Sequence, residues 1–147
     1  MSSRQAPETR DRFGHFQVIP TRWGDNDVYG HVNNVVYYAW FDTAVNGFLI
    51  GQGLLDIENS PVFGVVVETR CRYFREFTYP EDVHAGLRVA RLGNTSVVWE
   101  IGLFREGEDE AAALGHFVHV YVDRQTRRPV PLPDDSRRIL AGLVIGE

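Results

Sequence analysis

The chain has 147 residues, 44% of them hydrophobic and 24% charged, with a formal net charge of −5. That length builds one sizeable core and leaves no room for a second domain, and a mildly acidic chain without a basic stripe excludes a nucleic-acid binder. Every basic residue is arginine, which excludes lysine Schiff-base chemistry, and the single cysteine, Cys71, excludes an intrachain disulfide and fits a reducing compartment.

Residues 1–12 are polar and charged, with no apolar run of a signal peptide, and read as a frayed tail before one domain over 13–147. No stretch approaches the length of a membrane span, so we expect a soluble, cytoplasmic protein. Residues 16–21 read as a first strand. A polar loop follows, with Asp25, Asp27, His31, Asn33 and Asn34 set around Gly24 and Gly30. Asn33 is a good N-cap for a helix over 34–50, about 25 Å long. Tyr37, Phe41, Ala44 and Phe48 recur on one helical face. The local propensity of Val35 to Tyr38 is for strand instead, so spacing and propensity disagree here. Gly51 and Gly53 are stop signals.

After a connection over 54–61, residues 62–79 are rich in β-branched and aromatic side chains and predict one long bent strand or two. Residues 83–92 alternate: Val83, Ala85, Leu87 and Val89 take one face, His84 and Arg88 the other. Gly93-Asn94 is a hairpin signal, and residues 95–105 answer with Val97, Trp99, Ile101 and Leu103 on one face. An acidic turn over 106–110, a strand over 113–122, an Arg- and Pro-rich connection over 124–133 and a short helix over 134–143 complete the order. Helices grouped on one face of an antiparallel sheet make an α+β domain. Its open sheet edges invite a symmetric dimer.

The loop carries the chemistry. Two carboxylates, an imidazole and two amides stand directly before a helix start. A carboxylate can attack a carbonyl or activate water, and a helix N-terminus stabilises a developing oxyanion. Composition alone is equally well read as a strand-to-helix turn. Trp23-Gly24-Asp25-Asn26-Asp27, Gly30-His31-Val32-Asn33-Asn34, Tyr37 and the aromatic helix together resemble the hotdog-fold acyl-CoA thioesterases, in the branch containing 4-hydroxybenzoyl-CoA thioesterase.

That resemblance implies a curved antiparallel sheet wrapped around one long central helix, and hydrolysis of an acyl-CoA to free acid and coenzyme A. It implies Asp27 as nucleophile or general base and the Asn34 amide as oxyanion donor, with Asp25 holding the loop. His31-Val32-Asn33-Asn34 also looks like the motif of fatty-acyl thioesterases, including the plant acyl-ACP enzymes. His31 is thereby a base, a donor to Asp27 or a water positioner, against the plain reading of a turn-fixing histidine. The 4-hydroxybenzoyl-CoA enzyme itself lacks this histidine. Tyr37 is a candidate for the acyl pocket, as are Tyr38, Phe41 and residues 65–67, though core packing is the simpler role for most of them. Arg91 and Arg128, with Arg127 beside it, are candidates for coenzyme A phosphates. Solvated surface arginines are the alternative, and Gly93 to Thr95 is neutral where the relative is basic.

No metal or redox cofactor is implied, coenzyme A entering as part of the substrate. The partners implied are an acyl-CoA, or else an acyl carrier protein, and further copies of the chain as homodimer or homotetramer with sites at the dimer interface. Two other readings stand beside this one. A hotdog hydratase or dehydratase spaces its Asp and His with four residues between, where Asp27 and His31 have three; a non-catalytic acyl-CoA binding protein would leave Asp27 unused. His116 and His119 sit three apart on a strand and face opposite ways, which argues against a metal site. Cys71 with His31 would be a nucleophile pair, but burial is the better role for Cys71.

Overall fold

A computed structural model of the protein describes residues 6–145. Strands β1 (His15–Pro20), β2 (Val62–Tyr73), β3 (Asp82–Leu92), β4 (Ser96–Arg105) and β5 (Ala113–Asp123) form one curved sheet in the order β1-β3-β4-β5-β2, every neighbouring pair antiparallel. Helix α1 (Asn34–Gly51) packs on its inner face, and a short helix α2 (Asp134–Ala141) follows β5. This is the hotdog fold.

Alternation in β3 and β4 places the core. Leu87 pairs with Ile101 and Val89 with Trp99 across the ladder, and all four are fully buried under α1. The helix answers with Tyr37, Phe41, Ala44 and Phe48, flanked by Trp40, Val45 and Leu49, all buried. Burial of this face overrides the strand propensity of Val35 to Tyr38, as tertiary context commonly does. Gly115 on β5 sets how close the helix can come. A Cβ at that position would lie 2.5 Å from the tip of the Phe41 ring, closer than any side chain tolerates.

Two expectations are corrected. β2 ends at Tyr73, six residues before the expected limit of 79, and is bulged between Val66 and Glu68. Beyond Tyr73 the amides of Phe74 and Arg75 both donate to the Ala112 carbonyl, at 2.8 and 3.0 Å, so the ladder stops. Phe77 then turns into the core. The tail expected over 1–12 is held from Glu8 onward. The Ala111 amide donates to the Glu8 carbonyl at 2.8 Å, and Glu8 accepts from Arg88 at 2.9 Å. Residues 1–5 lie outside the described residues.

Arginines fasten the periphery. Arg88, buried on the outer sheet face, also donates to Glu100 at 2.9 Å while its guanidinium lies 4.6 Å from the Phe13 ring centroid. Arg10 donates to the carbonyls of Glu108 and Arg105 at 2.7 and 2.9 Å, 5.0 Å from the Phe104 ring. Arg124 donates to the carbonyls of Ser60 and Ile57 at 2.6 and 2.7 Å, 4.9 Å from the Phe63 ring. No helix of the described residues is long and apolar enough to cross a membrane.

His116 and His119 do face opposite ways. His116 lies on the outer side, its Nε2 3.1 Å from Glu68, whereas His119 is buried against the Phe117 and Trp99 rings. Nδ1 of His119 has no hydrogen-bond partner among the described residues. Burial pushes the His119 pKa down from 6.5 to about 4 because the charged ring has lost its water. Between those values the unfolded chain binds the extra proton, so stability is full above the unfolded value and falls as pH drops through the window. This one group is expected to cost about 2 kcal/mol between pH ~7.5 and ~5. Urea unfolding of wild type and His119→Leu at the two pH values checks it: the substituted protein loses correspondingly less on acidification.

Candidate active site

The loop between β1 and α1 is built by two aspartates used in different ways. Asp25 is buried at 1% exposure and accepts from the Arg22 amide and guanidinium, both at 2.8 Å. Its carbonyl accepts from the Asn33 amide at 2.9 Å, which ties the loop start to the helix start. Asp27 is half-buried and makes an Asx-turn: Oδ1 accepts from the Tyr29 amide at 2.8 Å. The turn closes with Gly30 N–H donating to the Asp27 carbonyl at 3.2 Å, at a Gly30 φ of +87° that side-chain-bearing residues rarely adopt. The Asp27 amide donates to the His31 carbonyl at 2.9 Å. Oδ2 of Asp27 has no hydrogen-bond partner among the described residues.

The end of α1 completes the frame. Asn33 caps it, Oδ1 accepting from the Val35 amide at 3.0 Å, and the Asn33 carbonyl accepts from the Val36 amide at 2.9 Å. The Asn34 amide is left without a partner among the described residues. Val32 N–H donates to the Phe77 carbonyl at 2.9 Å, and Thr78 Oγ1 to the Gly30 carbonyl at 2.6 Å, so the segment after β2 clamps the loop.

A hollow of about 480 Å³ opens here. The loop lines it with Asp27, Tyr29, His31 and Val32, α1 with Asn34 and Tyr37, and the end of β2 and the segment after it with Tyr73 and Glu76. His31 Nδ1 lies 2.5 Å from Glu76 Oε2, both side chains more than half exposed. Tyr37 meets Tyr73 edge-on, ring centroids 5.0 Å apart, and burial pushes the Tyr37 hydroxyl up to about 12, so it stays a neutral hydrogen-bonding group. Tyr73 is likewise shifted upward by desolvation.

Asp27, His31, Asn34 and Tyr37 are therefore gathered in one place. Arg91, exposed at the end of β3, and Arg128, exposed in the turn after β5, do not line this hollow within one chain. Nor do Tyr38, Phe41 or residues 65–67; Phe41 is core. The Cys71–His31 pair is not assembled: His31 pairs with Glu76, and burial pushes the Cys71 thiol up to about 11, away from thiolate chemistry. Among the described residues no group of three or more metal-ligating side chains converges. Glu76, Tyr73 and Tyr29 were not legible as site residues in the sequence. Glu76 and Tyr73 reach the hollow through a long-range contact, and Tyr29 carries no periodic signal.

A loop carboxylate and a free amide at the start of a buried helix are groups whose chemistry could act on an activated acyl carbonyl. The model of the thioesterase-like superfamily matches residues 21–140, and the chain belongs to that family, as a thioester hydrolase. The PA5185 protein of Pseudomonas aeruginosa is 54% identical, with a TM-score of 0.92 over 95% of this chain and 98% of that one. PA2801, a candidate thioesterase of the same species, is 34% identical with a TM-score of 0.79, over 86% of this chain and 97% of that one. BH1999, a gentisyl-coenzyme A thioesterase, shares the fold at 23% identity and a TM-score of 0.75, over 86% of this chain and 98% of that one.

Proposed function

We propose that the protein hydrolyses acyl-CoA thioesters to the free acid and coenzyme A, with Asp27 as the attacking or water-activating carboxylate and the Asn34 N–H as oxyanion donor. One observation carries this reading: a carboxylate with one oxygen free and a helix-start amide without a partner share a single hollow. A thioester carbonyl seated on the Asn34 amide presents its carbon to that carboxylate. The C–S bond breaks, the acyl carbon keeps the oxygen that came from water, and the departing sulfur takes the proton water gave up. The thioester needs no metal or redox cofactor for this step. Three tyrosines around the hollow suit a compact aryl acyl group, and the gentisyl-CoA relative acts on such a substrate. That relative also favours coenzyme A over a carrier protein. The free thiol of Cys71 suits the reducing cytoplasm, where we place the reaction.

The working unit is a homodimer joined through β2. This edge strand is twelve residues long, carries no proline, and exposes Val66 and Val67 at 44% and 59%, an unprotected edge. The opposite edge, β1, is half as long and ends in Pro20. Antiparallel pairing of two β2 strands brings the start of one beside the end of the other. The turn bearing Arg128 lies near the start of β2, where Arg124 N–H meets the Pro61 carbonyl. The hollow lies at its end, roughly 35 Å away along the strand. Arg128 thus reaches coenzyme A phosphates only in the partner's site, and Arg91 is a candidate for the same ligand.

Thiol release from a panel of aliphatic and aryl acyl-CoAs tests the reaction. Wild type is expected to turn over at least one, with Asp27→Asn lower in kcat by ~100-fold or more; equal rates would remove Asp27 from the chemistry. Asn34→Pro isolates the oxyanion donor. Proline is well accommodated at the first helical position, Asn33 is already extended at φ −61° and ψ 136°, and of the backbone only the N–H is lost, with Asn34→Ala as the control for the side-chain amide that goes with it. The thermal midpoint is expected to hold while kcat falls by about 10²–10³; an unchanged kcat would rule the amide out. Light scattering tests the assembly: wild type reads as a dimer or a multiple of it, and Val67→Lys shifts it to monomer with loss of turnover. A monomeric, active wild type would end the dimer proposal.

A further inference from the structure

Glu76 has no place in the reaction as derived so far, yet it lines the same hollow as Asp27 and Asn34. It arrives there because the ladder of β2 stops at Tyr73 and the chain bends across the start of α1. Its neighbour Arg75 points elsewhere, donating to Glu108 at 2.6 Å and to Glu110 at 3.3 Å. His31 is the only basic group of the described residues within ion-pair distance of Glu76, at 2.5 Å from its Nδ1.

We propose that Glu76 is a positioning residue: by accepting from Nδ1–H of His31 it fixes the imidazole tautomer and leaves Nε2 as the acceptor that faces the reaction. This rests on the thioesterase reading above. An acceptor on one ring nitrogen puts the proton there and leaves the lone pair on the other. Water in the hollow then has two acceptors, the free oxygen of Asp27 and Nε2 of His31. It donates one O–H to each and turns a lone pair to the thioester carbon. Asp27 takes the proton released on attack, and that proton leaves with the coenzyme A thiol. Histidine alone would sample both tautomers, and the Nε2–H form would present a donor where water needs an acceptor.

The test has two arms. Nitrogen-15 spectra of ring-labelled protein, with His31→Gln to assign the signal, read the tautomer without any substrate. Wild type is expected to show His31 with its proton on Nδ1, and Glu76→Ala a mixture or the Nε2–H form. Kinetics form the second arm. Glu76→Ala is expected to lower kcat about 10-fold with KM nearly unchanged, and Glu76→Gln, which keeps an acceptor oxygen, to recover part of that loss. In a His31→Gln background Glu76→Ala is expected to add less than about 2-fold, since it acts only through the ring. A wild-type His31 protonated on Nε2, or full additivity of the two substitutions, overturns the proposal. A wild type inert on every acyl-CoA overturns the thioesterase reading instead, and the spectra still decide the pairing.

Discussion

The tip of the Phe41 ring occupies the space where a side chain at position 115 would begin. That contact seats α1 against β5, and everything at the site is measured from it. A helix start held this firmly presents its first amide at a fixed point. The oxyanion role proposed for that amide needs such a fixed donor, because a preorganised dipole does not have to reorganise as charge develops. The aromatic edge contacts along the same helix face, from Tyr37 with Phe77 to Phe48 with Trp99, hold it against rocking.

The loop in front of the helix divides its work between two carboxylates two residues apart. Asp25 is buried and spends both oxygens on Arg22. Removing one partner of such a tie leaves the other unsatisfied, so its role is to hold the loop. Asp27 gives one oxygen to the Tyr29 amide, which orients the carboxylate without consuming it. The segment after β2 then closes the frame from the far side through Val32 and Gly30. Local backbone bonds place the Asp27 carboxylate, and long-range ones place its surroundings.

Much of this was legible in the sequence, and the boundary of legibility has physical causes. Strands β3 and β4 alternate cleanly because one face is buried, so Val83 to Val89 and Val97 to Leu103 announce their own orientation. Helix α1 was legible from spacing alone, since burial of its aromatic face outweighs the strand preference of Val35 to Tyr38. The motif from Asp25 to Asn34 pointed to the loop and helix start that line the hollow with Asp27, His31 and Asn34. The end of β2 was not legible. Phe74 to Tyr79 look like strand residues, and nothing local signals that two successive amides turn to Ala112. For the same reason Glu76 was invisible, because its meaning depends on a residue 45 positions earlier. Glu8 gave no apolar signal of anchoring, its partner being the buried Arg88 across the sheet. The distance of Arg91 and Arg128 from the hollow follows from topology, which composition does not reveal.

The absence of lysine acquires a partial account from three of the arginines. Arg10, Arg88 and Arg124 each lie over a phenylalanine ring while donating in the guanidinium plane to two acceptors. A flat cation has faces and an edge, and these sites use both at once: the face is mortar against an aromatic ring, the edge a staple across chain segments distant in sequence. An ammonium is a point with no face to lay down, so it would have to choose between the ring and the carbonyls. At these three seams the fold is written for a planar charge. The N-terminal strap and the connection into β2 are held by shape as much as by sign.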